Sequence, residues 1–168
     1  LAESITADDV RKLKKDNPGT PVVTYVNTSA DVKAETDICC TSANAVKIIE
    51  SLKVDEVIFL PDEYLAKYVA SKTKVKIISW KGKCEVHEQF TDKEIIELRK
   101  KYPNLKVVSH PECPPEVISA SDYTGSTGSM INYVKNTDAK DIFLVTECSM
   151  SDNIPVSYTH LTLPTNGL

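Results

Sequence analysis

Residues 41–62, TSANAVKIIESLKVDEVIFLPD, contain the pattern that decides the fold. The first half places apolar residues at helical spacing after a Thr-Ser start, and the second half is a short, almost fully apolar run. Such a run is typical of a strand buried between two layers of helices. Because a similar β-branched run, PVVTYVN, precedes it at 21–27, the order strand, helix, strand predicts a parallel α/β unit with a crossover helix.

The same order of signals returns after a spacing of 85 residues. Helical patterns occur at 7–17 and 91–104, and again at 41–52 and 125–136, while strand patterns occur at 21–27 and 106–112 and at 56–62 and 141–147. The residues that correspond are Leu13 and Leu98, Pro18 and Pro103, Asp37 and Asp122, and Asp62 and Glu147. A further helix at 62–73 and a strand at 75–80 lie between the two copies. We therefore predict an α/β fold of repeated small parallel-sheet units with crossover helices.

Composition and charge exclude several classes of protein. The chain has 168 residues, 41% of them hydrophobic, a net charge of −4 and a pI near 5.4. Lys and Arg form no basic stripe, so we expect no nucleic-acid partner. No apolar run approaches the roughly 20 residues that span a bilayer, so we expect no membrane partner and a soluble, cytoplasmic protein. The chain begins at Leu1 rather than at Met, which leaves open a preceding segment.

The five cysteines do not form a pattern that is typical of disulfides or zinc fingers. Their number is odd, and only the adjacent pair Cys39 and Cys40 is closely spaced. Cys84 lies in WKGKCEVHEQFT at 80–91, three residues before His87. It could be a buried structural thiol, a metal ligand, or a nucleophile paired with His87. With the 85-residue spacing, the positions equivalent to Cys84 fall just before Leu1 and just after Leu168.

Polar residues follow the predicted strands at the point where each strand ends. Open α/β sheets bind ligands at the carboxyl ends of their strands. The residues at these ends are Tyr25, Asn27, Asp62, Glu63, His110, Glu112, Cys113, Thr146 and Glu147. They predict a polar site at this edge.

Two predicted helix starts carry hydroxyl groups at equivalent positions of the repeat. TSAN contains Ser42, and GSTGS contains Ser126 and Thr127. A helix start with free amides favours phosphate or carboxylate, although Ser and Thr are also the ordinary capping residues. Two readings stay open from these residues alone: a cluster-free phosphosugar- or carboxylate-binding α/β module, and an enzyme with Cys84 as nucleophile.

Six motifs in combination resemble the quinolinate synthase family. They are YVNTSADVKAETDICCTSANAVKI (25–48), FLPDEYLAKYV (59–69), WKGKCEVHEQF (80–90), HPECPPEV (110–117), DYTGSTGSMI (122–131) and LVTECSMSDN (144–153). The resemblance implies three α/β units with pseudo-threefold symmetry around a central [4Fe-4S] cluster, each unit giving one cysteine and the fourth iron being left open. It also implies a cytoplasmic transferase of NAD biosynthesis, which condenses iminoaspartate with dihydroxyacetone phosphate to form quinolinate. An iron with a free site acts as a Lewis acid in dehydration.

The same resemblance implies roles for particular residues. Cys84 would be the cluster ligand of the middle unit. Tyr25, His110 and Glu112 would be catalytic, and Glu112 would also approach the open iron. The residues that would bind substrate are Asn27, Ser42, His87, Ser126 and Thr127. An iminoaspartate-producing L-aspartate oxidase or dehydrogenase would be the neighbour in the pathway.

The resemblance further implies that the chain is an internal fragment. The family's other two cluster cysteines would lie outside both ends of this sequence. We predict the end of the first unit and the start of the middle unit at 1–62, the rest of the middle unit and the start of the third at 63–147, and a truncated end at 148–168. From about residue 156 the sequence stops resembling the family and indicates a non-native tail. The fragment alone is expected to hold no stable cluster and to be inactive.

Overall fold

A computed structural model, which describes residues 1–150, has two parallel sheets with helices between the strands. The first sheet has the strand order β2-β1-β3-β4, and the second has the order β6-β5-β7. The strands are β1 (Val22–Tyr25), β2 (Ile38–Cys40), β3 (Glu56–Leu60), β4 (Lys76–Ser79), β5 (Lys106–Ser109), β6 (Tyr123–Thr124) and β7 (Ile142–Val145). The predicted α/β class with parallel strands is confirmed.

Seven α-helices lie within residues 1–150, of which the first precedes β1 and the other six connect strands. They are α1 (Ala7–Asp16), α2 (Ala30–Ala34), α3 (Ala45–Ser51), α4 (Glu63–Ala70), α5 (Asp92–Lys101), α6 (Pro115–Ala120) and α7 (Thr127–Asn136). The sequence did not predict α2, α6, β2 or β6. Each is only two to six residues long, which is too short for a helical or alternating period to be recognised.

The 85-residue spacing is present in the pairing of the strands. Val23 pairs with Ile38 in the first sheet, and Val108 pairs with Tyr123 in the second. Each sheet thus joins its central strand to a short edge strand at equivalent positions. The helices that precede the central strands also begin alike, because Thr6 with Asp9 and Thr91 with Glu94 both form reciprocal capping boxes.

Both faces of each central strand are covered, as the apolar strand patterns predict. In β3, Val57 and Phe59 pack in one core cluster while Ile58 and Leu60 pack in another, and all four are fully buried. In β5, Val107 and Val108 likewise belong to different clusters. Helices therefore lie on both sides of each sheet, which leaves the ends of the strands as the place for a site.

One carboxylate in each repeat fixes the start of its central strand. Asp37 Oδ2 accepts a hydrogen bond from the Val22 amide at 2.8 Å, and Asp122 Oδ2 accepts one from the Val107 amide at 2.9 Å. Asp122 also pairs with Arg99 at 2.7 Å and with Lys106 at 3.0 Å. Burial opposes its charge, but these three partners outweigh burial and lower the pKa of Asp122.

We expect Asp122→Ala to lower the free energy of unfolding by about 1–3 kcal/mol, since it leaves a buried amide without its charged acceptor. Because the pKa of Asp122 is lower in the folded chain than in the unfolded one, this stabilisation is present above the unfolded value and disappears as the pH falls through the folded value. Urea unfolding at neutral and acidic pH measures it. Asp138→Ala, at an exposed carboxylate, is the control. Equal effects of the two variants at neutral pH would contradict this role.

Within residues 1–150, none of the helices has the length and apolar character needed to cross a bilayer. The non-native tail predicted from about residue 156 lies outside the described residues.

Candidate functional site

The carboxyl ends of the strands in both sheets contribute side chains to one group of polar residues. Tyr25 ends β1, and His110 and Glu112 follow β5 directly. The other contributors are Ser42 after β2, Asp62 after β3, Cys84 and His87 after β4, and Thr146 after β7. Parallel strands bring their carboxyl ends to the same edge of a sheet, and here the edges of the two sheets face each other. The site is therefore built from both sheets.

Glu112 lies at the centre of this group, between two histidines. Its Oε2 is 3.5 Å from His87 Nδ1, and its Oε1 is 3.7 Å from His110 Nδ1. The two imidazole rings stack with their centroids 4.9 Å apart. All three side chains are buried, and Glu112 is only 2% exposed. A carboxylate buried to this extent requires a positively charged or proton-donating neighbour, and His87 is one such neighbour.

Each histidine uses its second nitrogen to contact a hydroxyl group. His87 Nε2 lies 3.1 Å from Thr146 Oγ1, and His110 Nε2 lies 3.2 Å from Ser42 Oγ. The Glu112 amide donates to His110 Nδ1 at 3.4 Å, so this nitrogen acts as an acceptor. In a neutral His110 the proton is therefore on Nε2, from where it is donated to Ser42.

The surroundings shift the pKa values of the two histidines in opposite directions. For His87, burial opposes the charge, but interactions with Cys84 and Glu112 outweigh it and raise the pKa to about 9. For His110, burial prevails over the attraction of Glu112 and lowers the pKa to about 4. Burial also opposes the charge of Glu112, but His87, His110 and Tyr25 lower its pKa. At neutral pH this favours a charged His87, an ionised Glu112 and a neutral His110.

Tyr25 and Asp62 are two further buried groups beside Glu112. Burial raises the pKa of Tyr25 above its usual value, and the negative charge of Glu112 adds to the effect, so the phenol keeps its proton. Burial also raises the pKa of Asp62 to about 7, against the lowering effect of its bond from the Leu65 amide. That bond, to Asp62 Oδ1, is 2.6 Å long, whereas Oδ2 is buried without a hydrogen-bond partner.

Cys84 is held against this group by the loop that follows β4. Gly82 pairs with Asp62 in an isolated parallel bridge, and its carbonyl oxygen accepts from the Glu63 amide at 2.7 Å. A Cβ atom at Gly82 would lie 2.5 Å from the Pro61 carbonyl oxygen, so only glycine permits this approach. The half-buried Cys84 sulfur, a His87 ring nitrogen and a Glu112 carboxylate oxygen then all lie within 4.8 Å of one another.

The structure brings most of the predicted site residues together. Tyr25, His87, His110 and Glu112 are buried in the group, and Ser42 and Cys84 border it. Three others make no hydrogen bond to it among the described residues. Asn27 and Thr127 are exposed, and Ser126 caps α7 by accepting from the Ser129 amide.

The TSAN segment leads directly into a helix, as predicted, with Asn44 as the N-cap residue, but Ser42 lies before the first helical turn rather than in it. Helix α3 begins at Ala45, and Asn44 Oδ1 accepts from the Thr41 amide at 2.7 Å, which closes a turn before the helix. Ser42 thus lies in that turn and contacts His110. The helix start at GSTGS is where the sequence placed it, with Ser126 as the capping residue.

Sequence reasoning placed Asp62 and Thr146 among the polar residues at strand ends but assigned neither of them an individual catalytic or binding role. Their position at strand ends was the available signal. Cys113 also follows a strand, but it is fully buried, with its sulfur 3.4 Å from the Val145 carbonyl oxygen. Burial raises the pKa of its thiol to about 12, which makes it unreactive.

The fold and the site together define a parallel α/β protein in which a cysteine thiol adjoins a buried group of imidazole and carboxylate side chains. Comparison with known proteins makes this specific: the chain belongs to the family described as "NadA: Quinolinate synthetase A protein", whose family model matches residues 1–164. The resemblance found in the sequence motifs is thereby confirmed.

Individual relatives agree with this assignment. Quinolinate synthase 1 of Mesorhizobium japonicum is 58% identical over 158 residues, which cover 94% of this chain and 49% of that protein. Quinolinate synthase of Xylella fastidiosa, strain Temecula1, is 56% identical over 158 residues, which cover 94% of this chain and 47% of that protein. The chain thus spans about half the length of the curated relatives it matches.

Proposed function

We propose that this chain is part of a quinolinate synthase, which condenses iminoaspartate with dihydroxyacetone phosphate to form quinolinate in cytoplasmic NAD biosynthesis. The observation that carries this proposal is the family match over residues 1–164, combined with the convergence of Cys84, His87 and Glu112 on one buried centre. Iminoaspartate would come from an L-aspartate oxidase or dehydrogenase.

We expect the buried residues to have different roles in proton transfer. The ionised carboxylate of Glu112 accepts a proton from the substrate, since its pKa is held low by the two histidines and Tyr25. His87 is charged and can donate a proton, and Tyr25 keeps its proton and can donate through its hydroxyl group. Neutral His110 orients Ser42 through Nε2, at 3.2 Å, towards a substrate oxygen. Because these groups are buried, they exclude bulk water from the reacting atoms.

The residues present fit one corner of an iron-sulfur cluster. Cys84 offers a thiolate beside the buried Nδ1 atom of His87, which has no hydrogen-bond partner, and Glu112 offers a carboxylate on the same side. Cys84 would hold one iron, and Glu112 would approach another. When bound, the cluster would supply a Lewis acid that polarises hydroxyl and carboxylate oxygens of the substrate. Within residues 1–150, no second cysteine belongs to this donor group.

An anaerobic assay tests the proposal in a full-length protein that contains this sequence. With a loaded cluster, iminoaspartate and dihydroxyacetone phosphate should give quinolinate and phosphate in equal amounts, and omission of either substrate should abolish both. A fully loaded protein that forms no quinolinate would contradict the proposed function.

A further inference from the structure

We propose that Cys84, His87 and Glu112 also form a complete site for a single divalent transition-metal ion such as Zn²⁺, with an open fourth position. This inference does not depend on the proposed function, because it uses only donors within the described chain. A [4Fe-4S] cluster needs several thiolates, whereas a mononuclear zinc site needs three protein donors and one exchangeable ligand. Both would use Cys84, so the ion and the cluster exclude each other.

The three donor atoms are already close to the separation that one ion requires. They lie within 4.8 Å of one another, so that binding one ion requires them to approach by about 1 Å. Bonds of about 2.0–2.3 Å from zinc to nitrogen, oxygen and sulfur place tetrahedral ligands about 3–4 Å apart. Thiolate, imidazole and carboxylate are all ordinary zinc ligands. Two of the three, His87 and Glu112, are fixed by burial.

Of the two ring nitrogens of His87, Nδ1 is the one that would bind the ion, because Nε2 already has a partner. Nε2 lies 3.1 Å from Thr146 Oγ1, whereas the buried Nδ1 has no hydrogen-bond partner and faces Glu112 Oε2 at 3.5 Å. When Nε2 donates its proton to Thr146, the lone pair of Nδ1 is available on the side of the Glu112 carboxylate. Metal-binding histidines usually have such a partner on their other nitrogen, which fixes the tautomer and the ring. Thr146 is therefore a positioning residue for the metal.

Two anionic donors around Nδ1 also favour a cation electrostatically. Cys84 and Glu112 together supply two negative charges when the thiol is ionised, and the ion would replace the thiol proton and any proton on Nδ1. Metal binding at this site therefore releases protons to the solvent.

Titration of the metal-free, reduced 168-residue chain with Co²⁺ under anaerobic conditions tests this site. We expect one Co²⁺ per chain, a near-ultraviolet charge-transfer band from thiolate to cobalt, and displacement by Zn²⁺. Cys84→Ser should remove the band, whereas Cys39→Ser, at an exposed thiol outside the group, should keep it. Thr146→Val should weaken binding by about 10–100-fold, and Thr146→Ser should restore it, since it keeps the hydroxyl group.

A second measurement needs no substitution and so does not depend on the folding of any variant. Zn²⁺ should protect Cys84 from alkylation by iodoacetamide, while exposed Cys39 stays reactive, as mapped by peptide mass spectrometry. The proposal is overturned if the folded chain shows no charge-transfer band, if the band persists in Cys84→Ser, or if Zn²⁺ leaves the alkylation rate of Cys84 unchanged. Equal affinities of Thr146→Val and Thr146→Ser would overturn the role of Thr146.

Discussion

Glu112→Gln is expected to lower the rate of quinolinate formation by roughly 10²–10⁴-fold in a full-length enzyme that contains this sequence. The amide has the size of the carboxylate but cannot accept a proton at neutral pH. It also removes the negative charge that faces His87 at 3.5 Å and His110 at 3.7 Å. Single-turnover assays with a loaded cluster would measure the loss in the chemical step.

Glu147→Gln provides the matched control for this substitution. Glu147 also follows a strand, β7, but its side chain is exposed and makes no hydrogen bond or ion pair among the described residues. The Glu147→Gln variant should form quinolinate at the wild-type rate. If Glu112→Gln kept a near-wild-type rate with a native circular dichroism spectrum, Glu112 would not be the base.

The 168-residue chain by itself is expected to hold no stable [4Fe-4S] cluster and to form no quinolinate. Of its cysteines, only Cys84 belongs to the donor group in the described residues, while Cys40 and Cys113 are buried and Cys39 and Cys148 are exposed. A cluster bound through one thiolate would be lost readily to chelators. After anaerobic reconstitution and desalting, iron and sulfide should fall far below one cluster per chain.

Retention of a cluster by the 168-residue chain would be visible in its absorption spectrum. A broad charge-transfer absorption that corresponds to one cluster per chain, and that persists in the presence of a chelator, would contradict this prediction. The control is a full-length protein treated in the same way, which should retain its cluster.

The repeated fold could be predicted because its determinants are local in the sequence. Thr91 with Glu94 marks a helix start, and the short apolar run at 57–60 is typical of a buried strand. When such signals recur at one spacing, they indicate a repeated unit, and the pairs Val23 with Ile38 and Val108 with Tyr123 show the same register in both copies, although strands β2 and β6 were not predicted. Local and global preferences agree here.

The pairing of the site residues could not be predicted in the same way. Polar residues at strand ends indicate a common edge, but they do not determine which side chains meet across two sheets. Thr146 contacts His87 over a separation of 59 residues, and Ser42 contacts His110 over 68. These contacts depend on how the two sheets are placed relative to each other, and a short sequence motif does not determine that placement.

The sequence placed a helix start at TSAN correctly, but it could not determine the first helical residue, for a different physical reason. Thr, Ser and Asn are all good capping residues, so several starts compete within four positions. The Asn44 side chain closes a turn with the Thr41 amide at 2.7 Å, and the helix therefore begins at Ala45. Only the three-dimensional structure decides between such neighbouring alternatives.

Iron and sulfide analysis of Cys84→Ser in a full-length protein that contains this sequence tests the central claim most directly. Cys39→Ser, at an exposed thiol, serves as the control. If Cys84 is a ligand of the catalytic cluster, Cys84→Ser loses both the bound cluster and quinolinate formation, while Cys39→Ser keeps both. A Cys84→Ser protein that retains a full cluster and forms quinolinate at the wild-type rate would contradict the account.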